Sequence, residues 1–285
     1  MRLMLKLLMI AILSSSIVYA KEELKSEVEK DIVAYVEKAI SVNKDFTLKE
    51  VRVKEVKELD AIKGWSVYFL DIDLLVIAKD NKVMTVHDKI FSDGKYMTRD
   101  FMSLKGQISL KDRIVPDMDN SFYKKNHLVY GDESAKDKIV IFSDPLCPFC
   151  QTYMPEVFKA VKADPKKIAL YYYHFPLSMI HPQAPTIIKA TMAAEKKGVK
   201  DILIRVYEAK FALKTKDENS TLEAFNKKLG TNLTLKEINT QEILETYSKD
   251  LELAGKMMIS GTPTVYVNGK KDFTRTKYKE ILGIK

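Results

Sequence analysis

The chain holds two cysteines in 285 residues, and they stand three apart, as Cys147-Pro148-Phe149-Cys150. No other feature constrains the fold as much. Lys138 to Phe142 reads as a short apolar strand just before the pair. A helix is predicted to start at Cys147 or Pro148 and run toward Lys162, with Pro155 inside it. The cysteines therefore mark a strand-to-helix junction. Disulfide exchange needs a thiolate as nucleophile. A helix N-terminus offers free backbone N–H groups and a partial positive charge, and both favour a thiolate there. Two intervening residues put the second sulfur one turn in, close enough to attack a mixed disulfide. Pro148 fits the first turn, where its missing N–H is not needed. Cys147 is thus expected to be the exposed nucleophile and Cys150 the resolving thiol, with Pro148 and Phe149 modulating the pair.

A zinc site and a structural disulfide are the other readings of such a pair. A closed zinc site wants four ligands. No second C-x-x-C exists, and His87, His127, His174 and His181 lack zinc-finger spacing. A structural disulfide closing so short a loop stabilises little, and a disulfide-stapled secreted protein would spread several cysteines along its length. The pair reads as kept for redox chemistry, with no metal and no cofactor beyond the dithiol itself.

The first twenty residues follow the plan of a secretory signal peptide. Arg2 and Lys6 precede an apolar run from Leu7 to Ile12. Ser14 to Ser16 follow, and cleavage is expected after Ala20. An uncleaved membrane anchor is the alternative, for which the apolar run is short. Cleavage would leave a net charge of about +6. There is no compact basic block and no nucleic-acid motif, so no nucleic-acid partner is expected.

Residues 21–105 read as a small α+β domain. Leu24, Val28, Ile32, Val36 and Ile40 form one stripe of a helix from about Glu22 to Ile40. Strand-like runs follow around Val51–Val56, Trp65–Leu70, Leu74–Ala78 and Val83–Phe91. Asp93-Gly94 is read as a hairpin turn into a strand over Lys95–Phe101. Residues 106–136, broken by Gly106, Pro116 and Gly131, read as a linker with a short helix. Residues 137–285 read as an α/β domain: strand, helix, a second strand over Ile168–Phe175, and a helical insert over about 183–257. A hairpin around Asn268-Gly269 and a short helix over Thr276–Leu282 complete it.

The segment from Phe142 to Cys150 resembles the active-site segment of the periplasmic Dsb proteins, closest to the DsbC/DsbG disulfide isomerases. Pro155 stands where thioredoxin-like proteins kink this helix. Gly261-Thr262-Pro263-Thr264-Val265 with Asn268-Gly269 resembles the family's cis-proline loop and following hairpin. His181-Pro182-Gln183-Ala184 and the helical insert resemble DsbA-type proteins. The β-rich N-terminal region, ending in Phe91-Ser92-Asp93-Gly94-Lys95-Tyr96, resembles the isomerases' dimerisation domain.

The resemblance implies a thioredoxin-like fold with a helical insertion, a cis Thr262–Pro263 bond facing the cysteines, and substrate pairing at Thr262 and Pro263. It also implies a periplasmic homodimer, unfolded or misoxidised exported proteins as substrates, and a membrane redox partner. One departure matters. The buried acid that many thioredoxin-like enzymes carry six residues before the first cysteine is here Ile141.

Three activities fit these features. The first is a disulfide isomerase or reductase, favoured by Thr262 and the separate N-terminal domain. The second is a dithiol oxidase, favoured by the DsbA-like segment. The third is a dimeric holdase chaperone with secondary redox activity. His174 and His181 are read as surface or satisfied core residues, and Trp65 and the twelve methionines as packing.

Overall fold

A computed structural model describes residues 27–42, 46–76, 82–213 and 216–284. The expected signal peptide and Leu24 lie outside these residues. The chain divides into two compact units, residues 1–116 and 117–285.

In the first unit, helix α1 (27–41) buries Val28, Ile32 and Val36. The strands β1 (Phe46–Glu58), β2 (Ser66–Val76), β3 (Lys82–Ser92) and β4 (Met97–Thr98) form an antiparallel meander in that order. The helix stripe shares a core with Val51, Tyr68, Leu70, Ile72, Leu74 and Ile90. Burial of each large aliphatic side chain is worth roughly 1.5–3 kcal/mol.

Trp65–Leu70 and Leu74–Ala78, read as separate runs, meet in the single strand β2 over Ser66–Val76, with Ile77 and Ala78 outside the described residues. Asp71 and Asp73, which look like a break in sequence, alternate onto the opposite face from Leu70, Ile72 and Leu74. There Arg52 and Thr85 each donate to Asp73 at 2.6 Å, and His87 Nδ1 lies 2.6 Å from Asp71 Oδ1. The expected strand over Lys95–Phe101 shrinks to two residues. Asp93 Oδ1 accepts from the backbone N–H groups of Lys95 and Tyr96, which closes a tight turn. Beyond it the chain leaves the sheet so that Phe101 can pack edge-on against Trp65 and Phe91.

The stretch read as a linker is split by the structure. Residues up to Pro116, including the short helix α2 (Leu110–Arg113), go with the first unit, and residues from Asp117 go with the second. Phe122 packs against Phe142 and Tyr173. Leu128–Tyr130 forms strand β5, which sequence reading missed because three residues give no periodicity. Gly131 turns out of it with φ of +86°, and a Cβ there would lie 1.8 Å from the carbonyl oxygen of Ile168. Only glycine fits this approach.

In the second unit β5 joins β6 (Asp137–Ser143), β7 (Ile168–His174), β8 (Thr264–Val267) and β9 (Lys270–Lys271) in the order β5-β7-β6-β8-β9. β6 and β7 are parallel, joined through α3 (Pro148–Ala163); the other pairs are antiparallel. The helical insert comprises α4 (Ala184–Lys196), α5 (Ile202–Glu208), α6 (Glu218–Leu229), α7 (Leu235–Ile238) and α8 (Gln241–Lys256), and α9 (Lys277–Leu282) ends the unit. Asp217 caps α6 through Ser220, and Gly230 ends it in the left-handed region. Ile139, Ile141 and Tyr172 face a core shared with Val157 and Phe158 of α3 and Tyr207 of α5. This thioredoxin-like α/β architecture holds the end of β6 and the start of α3 in a fixed corner.

Candidate active site

That corner carries the two cysteines. Cys147 is the N-cap of α3, with extended backbone, and Pro148 occupies the first turn. Cys147, expected to be exposed, is buried at 5% exposure with its sulfur against the loop of Thr262, Cys150 is fully buried, and both are free thiols. Phe149 between them is 78% exposed. The loop before the helix is set by Asp144, itself wholly buried. Its Oδ1 accepts from Leu146 N–H at 2.8 Å. Its Oδ2 accepts from Leu177 N–H at 2.8 Å and lies 2.8 Å from His181 Nδ1. One carboxylate thus ties the β6–α3 corner to the loop after β7.

The Thr262–Pro263 peptide bond is cis. It places the Thr262 carbonyl oxygen 3.6 Å from the Cys147 sulfur. The Thr262 hydroxyl pulls both thiols toward ionisation by proximity, yet its geometry satisfies no hydrogen bond and it is buried without a partner. The structure therefore brings Cys147, Pro148, Phe149, Cys150, Thr262 and Pro263 into one place. Phe149 and Pro263 also line a shallow groove with Tyr153, Arg275 and Tyr278.

The two sulfurs are made unequal. A hydrogen bond from Cys150 is the largest influence holding the Cys147 thiol low, at about 5. Burial opposes it, and the Thr262 hydroxyl and the backbone N–H groups of Cys150 and Phe149 assist. Cys150 is pushed up, chiefly by burial and then by its bond to Cys147. An acidic thiol at the rim and a protonated one beneath it make a nucleophile and a resolving partner.

Sequence reading missed several polar residues around Cys150. Ser143, at the end of β6, favours ionisation of the Cys150 thiol, against the larger effect of burial. Tyr207 donates to Ser143 Oγ at 2.8 Å, the Tyr172 and Tyr207 hydroxyls are 2.7 Å apart, and Tyr172 lies 3.2 Å from His174 Nδ1. His174 is buried, and burial lowers its pKa to about 4. Its backbone N–H donates to Asp250 Oδ2 at 3.0 Å, while Asp250 Oδ1 meets His127 Nε2 at 2.7 Å. His174 and His181, read as ordinary surface or core residues, both sit in networks that reach the corner. The signal for His174 was its place at the end of a strand next to Tyr172, whose period-2 alternation points it toward α3.

An unequal dithiol at a helix N-terminus, facing a cis-proline loop, defines a dithiol–disulfide exchange protein. The thioredoxin family model matches residues 123–284. The chain is 30% identical over 151 residues to the probable disulfide bond formation protein D of Bacillus cereus, covering 49% of this chain and 68% of that protein. The Bacillus anthracis protein of the same name gives the same identity and coverage. A crystal structure of a thioredoxin-like oxidoreductase from Silicibacter pomeroyi is 20% identical with a TM-score of 0.47, covering 58% of this chain and 96% of that one. The chain belongs to the thioredoxin family, among the thiol:disulfide oxidoreductases of the disulfide-bond-formation (Dsb) type. Among the described residues no helix is long and apolar enough to cross a membrane.

Proposed function

We propose that the protein works outside the cytoplasm as a dithiol oxidase, passing the Cys147–Cys150 disulfide to exported proteins. The observation that carries this direction is the lowered pKa of Cys147. A stabilised thiolate stabilises the reduced form, and a dithiol stable when reduced is a strong oxidant when oxidised. The relatives named for disulfide bond formation support the same direction. In this reading a substrate thiolate attacks the Cys147 sulfur and Cys150 leaves. A second substrate thiolate then displaces Cys147, and a membrane oxidase restores the disulfide. Phe149 and Pro263 contact the incoming chain beside Thr262.

Isomerisation is the second reading. It is favoured by Thr262 before the cis proline and by the separate N-terminal sheet, through which we propose that two copies pair. Among the described residues β3 meets β4 only at Phe91 and Ser92, so most of its outer edge has no neighbouring strand. Val83 and Met84 are exposed there. A regular, unbulged edge of this kind invites another strand. Export through residues 1–20 belongs to both readings.

The deciding test is equilibration of the purified protein with glutathione buffers, paired with thiol alkylation in intact cells. An oxidase is expected to lie toward the oxidising end of the fold's range, nearer ~−120 mV than ~−270 mV, and to be found mostly as the disulfide. A reducing potential with free thiols in cells would overturn the oxidase in favour of the isomerase.

A further inference from the structure

Beyond β4 the first unit sends out a short hairpin. Met102 and Ser109 face each other in an antiparallel bridge, and Ser103 N–H donates to Ile108 O at 2.9 Å. The Ser103 hydroxyl donates to Lys105 O at 2.9 Å, and Gly106 and Gln107 turn the chain with φ of +93° and +50°. The base is pinned from both strands. Asp100 Oδ1 accepts from Phe101 N–H at 2.7 Å and from Lys111 N–H at 2.8 Å, and Phe101 packs on Trp65 and Phe91. A surface hairpin held this firmly ordinarily ends in small or polar turn residues. This one ends in Leu104, which is 100% exposed, with Met102 at 60% and Ile108 also exposed. Lys105 stands beside Leu104, and no acidic residue occurs from Phe101 to Lys111. Tyr96 and Met97 are exposed on the turn that leaves the same end of the sheet.

We propose that this hairpin docks the protein on a bilayer surface that carries anionic lipid. Leu104, Met102 and Ile108 enter the boundary between headgroups and acyl chains, and Lys105 meets the lipid phosphates. The contact holds the protein at the membrane whichever way the dithiol exchanges, so it stands apart from the choice between oxidase and isomerase.

Shape and charge choose this occupant over a protein. A stable contact with a folded partner takes roughly 800 Å² from each side, and a narrow two-stranded tip is small for that. A second copy would bring the same basic tip to a self-complementary contact, where like charges repel. A bilayer asks for neither breadth nor a matching shape. Apolar side chains gain by leaving water at the acyl boundary, and a lysine stem can follow them while its ammonium stays among the headgroups. A tyrosine such as Tyr96 suits the headgroup level. From Asp93 to Arg113 there are five basic residues and three acidic. Two of the acids, Asp93 and Asp100, are turned onto backbone N–H groups. Lys111 at the base pairs with Asp88, so the charge at the tip itself is that of Lys105.

Co-sedimentation of the exported protein with vesicles tests this, using phosphatidylcholine alone and phosphatidylcholine mixed equally with phosphatidylglycerol. Wild type should prefer the anionic vesicles about fivefold or more, and the preference should fade at high salt. Leu104→Asp should weaken binding about tenfold or more, with Leu104→Ser between it and wild type. Lys105→Ala should weaken binding about fivefold at low salt only. Met84→Asp, on the exposed edge of β3, should bind as wild type does. Any pull of residues 1–20 is common to every variant, so the differences read the hairpin alone. Leu104 is fully exposed, so its variants should melt as wild type does and keep its rate of disulfide exchange. Equal binding by wild type and both Leu104 variants would overturn the proposal, and so would failure of wild type to bind the anionic vesicles. A dimer in sedimentation equilibrium that Leu104→Asp dissolves, with vesicle binding unchanged, would assign the tip to a second copy instead.

Discussion

The two units each hold a histidine beside an aspartate at nearly the same distance, His87–Asp71 at 2.6 Å and His127–Asp250 at 2.7 Å. The first pair lies on a sheet face that water reaches, and the Asp71 side chain is 18% exposed. The second is enclosed, with Asp250 at 1%. On the sheet the pair is one of several neighbouring polar contacts, and Lys54 also approaches Asp71. In the second unit Asp250 is enclosed, so a lost partner leaves a buried charge unpaired. Asp250 holds His127 on one side and the His174 backbone on the other, so this contact fixes the geometry behind the cysteines. The same two residue types sit on a part-buried sheet face in one unit and form framework in the other, and the burial of the aspartate makes the difference.

The contrast can be broken in several places. Cys147→Ser should abolish disulfide exchange in a peptide-dimer assay, and Cys150→Ser should accumulate the mixed disulfide. No single change in the first unit should do either. Asp250→Ala should cost ~3–5 kcal/mol in urea unfolding, since it strands a buried histidine and a buried N–H. A loss below ~1 kcal/mol would show that the enclosed pair is no framework.

A pH series sharpens the account of Cys147. Its folded pKa, about 5, lies below the ordinary thiol value of ~8.5. A depressed value means stability that is fully present above ~8.5 and is lost as pH falls through 5. The reduced form should therefore gain stability over the oxidised form as pH rises from 5 toward ~8.5. Iodoacetamide should find Cys147 more than ~100-fold more ionised at pH 6 than a free thiol. An alkylation profile with its midpoint near 8 would refute this.

Ile32→Val, in the helix of the first unit, should cost ~0.5–1.5 kcal/mol. By hydrogen exchange the loosening should be confined to residues before 117, and exchange in the second unit should stay unchanged. Asp71→Asn should be smallest, below ~1 kcal/mol, and a larger loss would erase the distinction between the two pairs.

Much of this arrangement was legible in the sequence because it is written in local terms. The strand, the C-x-x-C and the proline in the first helical turn fix the corner within fourteen residues. The Gly-Thr-Pro loop and Asn-Gly turn mark the strand that faces it. The stripe Val28–Ile32–Val36 announced its helix. What escaped depends on contacts between distant residues. Ser143 and Tyr207 are 64 positions apart and His127 and Asp250 are 123 apart, and no periodicity links them. The run over Ile168–Phe175 reads as a strand, but nothing in it shows that the Tyr172 ring meets a second tyrosine from the helical insert. Asp71 and Asp73 concealed the continuity of β2 because their partners come from neighbouring strands.

The glycine at 131 and the segment before it bear on where this protein can be cut. An excision that kept only residues 137–285 would look natural from the sequence, since the first long strand of the α/β unit begins there. It would discard the edge strand that Gly131 presses against Ile168, the Phe122 ring beneath Phe142 and Tyr173, and the imidazole that holds Asp250. The remaining piece would keep both cysteines and lose part of the scaffold behind them. A cut between 116 and 117 leaves that scaffold whole.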